Sequence, residues 1–98
     1  MAYHSIAFTA ALASAAGDDL ALRNELRAGF VDSTARQLDL LRRARCDANW
    51  EVAAERLHAI AASFHAVELM GLAAEARSGA PGDPSVIRRI EAFIDALD

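Results

Sequence analysis

The chain has 98 residues and a formal net charge of −4, with 54% hydrophobic and 24% charged residues, a balance typical of one globular domain spanning 1–98. Alanine fills 24 positions, whereas glycine fills 5 and proline 2, so the composition favours an all-α fold. The ten basic residues are all arginine, and the acidic balance argues against nucleic acid as a partner.

Targeting and redox signals also restrict the classes of protein to consider. Cys46 is the one cysteine and has no partner for an internal disulfide. The sequence contains no apolar run long enough to cross a membrane, and its start lacks the basic region of a signal peptide. We therefore expect a cytoplasmic protein that does not bind membranes.

Capping residues predict the first two helices. Ser5 can cap a helix over residues 6–16, which Gly17 ends in the left-handed conformation. The aspartates at positions 18 and 19 then place negative charge at the start of a second helix. Leucine and phenylalanine recur along this helix at helical spacing, which predicts that it extends to about Arg45.

Three further helices follow in the second half of the chain. Asp47 or Asn49 is predicted to cap a third helix, which carries an apolar stripe through its length. A fourth spans about 66–78, with Val67 among the residues expected to point inward. Asp83 and Pro84 begin the last helix as its cap and first residue.

Four amphipathic helices joined by short loops predict an antiparallel up-and-down four-helix bundle, with the short N-terminal helix as an addition. The bundle core should bury apolar side chains from each long helix. The residues expected to be largely buried are Phe30, Leu38, Leu41, Leu57, Ile60, Phe64, Leu72, Ile90 and Phe93.

Motifs for ordinary enzyme chemistry are weak. Glu55 and His58 form one Glu-x-x-His pair, but a di-iron bundle needs a second pair and the sequence has none, so we expect no metal centre. No residue in the sequence identifies a base for Cys46, and no glycine-rich loop could hold a phosphate.

His58 stands out by its position. It follows Leu57 at the edge of the predicted core stripe, so its ring is expected to project into solvent. Ala61 and Ala62, one turn later, are small and would leave the surface beside the imidazole bare. His65 lies two turns beyond His58 near the same predicted face. By itself this pattern is typical of an ordinary surface histidine.

The whole chain resembles the histidine-containing phosphotransfer (HPt) domains of bacterial phosphorelays. The family carries the motif Ala-His-x-Leu-Lys-Gly-Ser on its third helix, followed by a glycine ten residues after the histidine. The segments that carry the resemblance are Gly17-Asp18-Asp19-Leu20, Gly29-Phe30-Val31-Asp32, Asp47-Ala48-Asn49-Trp50 and Leu57-His58-Ala59-Ile60-Ala61-Ala62-Ser63.

With His58 aligned to the family histidine, three positions depart from the motif. Ala61 replaces the lysine, Ala62 the first glycine and Glu68 the later glycine. The lost lysine predicts slower transfer, which Ala61→Lys would raise.

The resemblance implies that His58 exchanges a phosphoryl group with receiver-domain aspartates of response regulators or hybrid histidine kinases. It implies no cofactor beyond Mg²⁺ on the receiver, and a monomeric domain. Glu55, Ala61, Ala62 and His65 would form the docking face. Separately from the resemblance, the position of Glu55 three residues before His58 predicts a hydrogen bond between its carboxylate and the imidazole. The alternative is a degenerate HPt-fold module that docks on a kinase or receiver without carrying phosphate. A third interpretation is a helical bundle unrelated to signalling, in which His58 has no functional role.

Overall fold

The computed structural model describes residues 6–97, so the predicted cap at Ser5 lies outside the described residues. Five helices and no strands make up the regular structure of this part of the chain, which confirms the all-α prediction. The helices are α1 (Ile6–Ala16), α2 (Leu20–Arg43), α3 (Asp47–Ser63), α4 (Val67–Ser78) and α5 (Pro84–Asp95). None of these helices is both long and apolar enough to traverse a membrane.

Most predicted helix ends are confirmed. Gly17 follows α1 with a φ of 61°, in the left-handed region that favours glycine. The Asp19 carboxylate caps α2 by accepting a hydrogen bond from the backbone N–H of Leu22 at 3.0 Å. At α5, Asp83 accepts one from the backbone N–H of Ser85 at 2.9 Å.

Two boundaries near the middle of the chain differ from the prediction. α2 ends at Arg43, because the backbone of Ala44 is extended with φ −63° and ψ 129°. Cys46 occupies the N-cap of α3 and its side chain caps nothing. Asp47 is the first helical residue, so the predicted capping by Asp47 or Asn49 is wrong; the Asp47 carboxylate instead lies near the positive end of the helix dipole.

Helices α2 to α5 form a ring in which each helix packs against two of the others. α2 contacts α3 and α5, α4 contacts α3 and α5, and α1 packs on α2. Rings of Phe8, Phe30 and Phe64 meet at centroid distances of 4.8 to 6.4 Å and attach α1 to the rest.

The core contains most, though not all, of the residues expected there. Phe30, Leu38, Leu41, Leu57, Ile90 and Phe93 are buried, whereas Ile60, Phe64 and Leu72 are only partly buried. Val67, expected to point inward, is 63% exposed at the start of α4.

The seam between α3 and α4 is built from small residues. Ala54 of α3 and Ala73 of α4 line the space between these helices, and both are fully buried, as is Ala76 of α4. The buried Trp50 indole N–H donates a 2.6 Å hydrogen bond to the carbonyl oxygen of Ala76. This bond holds the first turn of α3 against the last turn of α4.

Candidate functional site

His58 lies at a groove between α3 and α4. Its side chain is exposed and takes part in no hydrogen bond or ion pair among the described residues. The floor of the groove is alanine and its rim is polar. The lining residues are Ala54, Glu55, His58, Ala73, Ala74, Arg77 and Ser78.

Glu55 pairs with a cation instead of the imidazole. Its Oε1 lies 2.8 Å from Nη2 of Arg77, which reaches across the groove from the last turn of α4. The predicted hydrogen bond between Glu55 and His58 is therefore wrong, because the carboxylate is held by the stronger charged donor. Both side chains of the pair are more than half exposed, at 51% and 59%, so water screens the attraction.

Arg77 lines the groove although no sequence motif marks it. It is a cation in the last turn of α4, a common position that by itself indicates only a favourable dipole interaction. Its approach to Glu55 depends on the register between α3 and α4, and no local pattern encodes that register.

Ala61 does not belong to an exposed face. It is fully buried, so the prediction that it lies on the docking surface beside the imidazole is wrong. The physical reason is helical phase: at about 100° per residue, position 61 lies only about 40° around the helix from the buried Leu57. Ala62 is partly buried.

His65 lies outside α3, which ends at Ser63. Its φ is 54°, and its backbone N–H donates to the carbonyl oxygen of Ala62 at 3.2 Å. The N–H of Ala66 donates to the carbonyl oxygen of Ala61 at 2.9 Å, which completes a Schellman motif around an exposed His65. Helical spacing therefore does not place His65 on the face of His58, and that prediction is wrong.

Two other ion pairs join neighbouring helices. Arg42 of α2 pairs with Glu91 of α5, and Glu75 of α4 accepts two hydrogen bonds from Arg89 of α5 at 2.6 and 2.8 Å. This bidentate contact lowers the pKa of Glu75 and raises the pKa of Arg89. The pair at Glu55 differs because it lies beside an exposed imidazole.

Within residues 6–97 no three His, Cys, Asp or Glu side chains converge as a metal-binding group, and Cys46 is exposed. A scan against models of protein families, a search of curated proteins and a search of solved structures find no match to this chain.

Proposed function

We propose that the protein is an HPt-fold docking module, which binds a receiver domain through α3 without carrying phosphate itself. The ring of contacts among α2, α3, α4 and α5 supports an antiparallel four-helix bundle. The short connections between consecutive helices support the same arrangement.

The observation that carries the proposal is the helical phase of α3. In the family motif the histidine and the lysine three residues later share one helix face, and the leucine between them points the other way. Glu55 and His58 are exposed while Leu57 is fully buried, so positions 55, 57 and 58 fit this pattern.

An alignment that starts at His58 fits the burial pattern poorly. It would put the lysine position at Ala61, inside the core, and the leucine position at the partly buried Ile60. The better alignment lies three residues earlier. It pairs Ala54-Glu55-Arg56-Leu57-His58-Ala59 with Ala-His-x-Leu-Lys-Gly, with a glutamate in place of the phosphorylated histidine.

The turn after α3 supports the same alignment independently. The family glycine ten residues after the histidine corresponds to His65 if Glu55 occupies the histidine position. His65 has a φ of 54°, a conformation for which glycine is the natural residue. In the alignment on His58 the glycine would fall at Glu68, in the first turn of α4, where the backbone needs no glycine.

A glutamate at this position changes what the helix can do chemically. Its carboxylate presents fixed anionic oxygens where a phosphohistidine presents those of the phosphoryl group. Carboxylate oxygens are good ligands for Mg²⁺, which the proposal assigns to the receiver. We therefore expect Glu55 to favour docking on a metal-loaded receiver that is not phosphorylated.

Phosphotransfer by His58 is the second candidate function. It is favoured by the exposed imidazole, which has no partner among the described residues, and by Arg77 on the rim of the same groove. The guanidinium of Arg77 would supply a cation that Ala61 does not. Labelling by a phosphorylated receiver separates this candidate from docking alone.

Binding to a panel of purified receiver domains with Mg²⁺ tests the proposal by titration calorimetry. We expect at least one receiver to bind, and Glu55→Gln to weaken that binding about tenfold, equivalent to about 1.4 kcal/mol. Glu75→Gln is the matched control, because it removes a carboxylate from another Glu–Arg pair between helices. Equal effects of the two variants, or no binding by any receiver, would refute the docking role.

A further inference from the structure

A second groove runs along the outer surface between α2 and α3. It consists of two adjoining cavities that share Leu40 and Arg43 in their linings, so the groove is continuous. Its lining residues fall within 33–44 on one side and 49–60 on the other, and each range extends over about three helical turns, or ~16 Å. This α2–α3 groove shares no lining residue with the α3–α4 groove.

Apolar side chains from both helices line the α2–α3 groove. Leu40 of α2 and Val52 of α3 are 41% and 43% exposed, and the partly buried Ile60 lines the end of the groove away from the α2–α3 turn. A single exposed apolar side chain is ordinary, but apolar side chains from two helices that line one groove form a surface suited to binding. Covering this surface would remove apolar area from water, which favours association.

The charge of the α2–α3 groove is opposite to that of the chain. Three arginines and one aspartate line it, a formal charge of +2 in a chain whose net charge is −4. Arg36 and Arg43 lie one turn before and one turn after Leu40, and Arg56 lies one turn after Val52. Both helices therefore place an exposed apolar side chain beside a cation.

The arginines of the α2–α3 groove are available to a partner. Arg56 forms no ion pair and no side-chain hydrogen bond among the described residues. Arg36 pairs with Asp32 and Arg43 with Asp39, each within α2, and all four side chains are more than half exposed. Exposed pairs of this kind contribute little to stability, so a carboxylate of a partner can replace the local one at small cost.

We propose that the α2–α3 groove binds an amphipathic helix of a partner protein, with an apolar stripe flanked by glutamate or aspartate. The furrow between two packed helices accepts a third helix, whose apolar stripe would cover Leu40 and Val52 while its carboxylates reach Arg56 and the arginines of α2. A nucleic acid would pair with the arginines but leave the apolar side chains uncovered. The inference does not rest on the proposed function, because Glu55 and His58 line the other groove.

Selection from a displayed peptide library tests the chemistry of the partner. The library contains helices of about 14 residues, with leucine at every third or fourth position and an equal mixture of glutamate, lysine and serine on the flanks. Peptides are selected on the full chain and counter-selected on the Leu40→Glu variant. We expect the enriched peptides to carry glutamate on their flanks. Enrichment of lysine, or the absence of any peptide that prefers the parent protein, would overturn the proposal.

Fluorescence anisotropy with an enriched peptide tests the location of its site. Leu40→Glu and Arg56→Glu should each weaken binding at least about tenfold. The matched controls Leu22→Glu, at a 39% exposed leucine of α2, and Arg88→Glu, at an exposed arginine of α5 without an ion pair among the described residues, should change it less than about twofold. Helical circular dichroism checks that each variant is folded. Equal effects of the groove variants and the controls would overturn the assignment.

Two further measurements distinguish other occupants of the α2–α3 groove. The enriched peptide with serine in place of every leucine should not bind; if it binds as well as the original, or if polyphosphate displaces the original peptide from Leu40 and Arg56, the groove is a polyanion site and the proposal is wrong. The parent chain and Leu40→Glu should sediment alike. A dimer of the parent chain that Leu40→Glu dissociates would assign the groove to a second copy instead.

Discussion

Replacing Ala61 with lysine is the most direct test of the helical phase on which the site depends. Ala61 is fully buried in the core, one turn after Leu57, and its carbonyl oxygen accepts a hydrogen bond from the N–H of Ala66. A four-carbon side chain there overpacks the core, at a cost of about 1–3 kcal/mol. The lysine ammonium group must either lose its hydration or reach solvent through a strained side-chain conformation. Either adds to the free-energy cost of the substitution.

The total cost of Ala61→Lys should be at least about 2 kcal/mol, a large part of the ~5–15 kcal/mol that stabilises a typical domain. Because 1 kcal/mol shifts Tm by about 4–8 °C in a domain of this size, Tm should fall by about 8 °C or more. Ala59→Lys, at an exposed position of the same helix, should stay within about 0.5 kcal/mol of the parent protein. Thermal and urea unfolding followed by circular dichroism measure both, and equal stability of the two variants would refute the assigned phase.

Three other substitutions test the hydrogen bond, the turn and the ion pair that hold the helices around the α3–α4 groove. Trp50→Phe removes the indole donor to the Ala76 carbonyl and should cost about 1–3 kcal/mol in urea unfolding; an unchanged midpoint would show that this hydrogen bond does not anchor α3. His65→Gly relieves the left-handed strain and should stabilise the protein by about 0.5–1 kcal/mol, whereas a loss of stability would contradict the Schellman geometry. Because the hydrogen bonds from Arg89 lower the pKa of Glu75 in the folded state, their pair stabilises the fold above the usual pKa of a glutamate, and this benefit is lost as pH falls through the lowered pKa. Glu75→Gln should therefore flatten the dependence of stability on pH in this acid range, and an unchanged acid-unfolding profile would argue against the pair.

Local patterns were sufficient to predict much of the fold. Gly17, Asp19 and Asp83 act at helix ends through their own side chains or backbone conformation, so their positions could be predicted without knowing the tertiary packing. The buried Leu57 and Ile90 follow from periodicity in the same way.

Most of the wrong predictions concern features that depend on how the helices pack against one another. Ala61 is an exception: it lies about 40° around the helix from the buried Leu57, so helical phase predicts its burial, although alanine itself has no strong preference for core or solvent. The position of His65 depends on where α3 ends, and no glycine marks that end. The partner of Glu55 is set by how α3 packs against α4, and no spacing within either helix predicts it.

Acid-labile phosphorylation by a phosphorylated receiver tests most directly whether Glu55 occupies the position of the family histidine. The parent protein should stay unlabelled, and the double variant Glu55→His with His58→Lys should become labelled, because it restores histidine and lysine on one exposed face of α3. Labelling of the parent protein that disappears in His58→Gln, while circular dichroism remains helical, would contradict this account and establish His58 as the phosphoryl carrier.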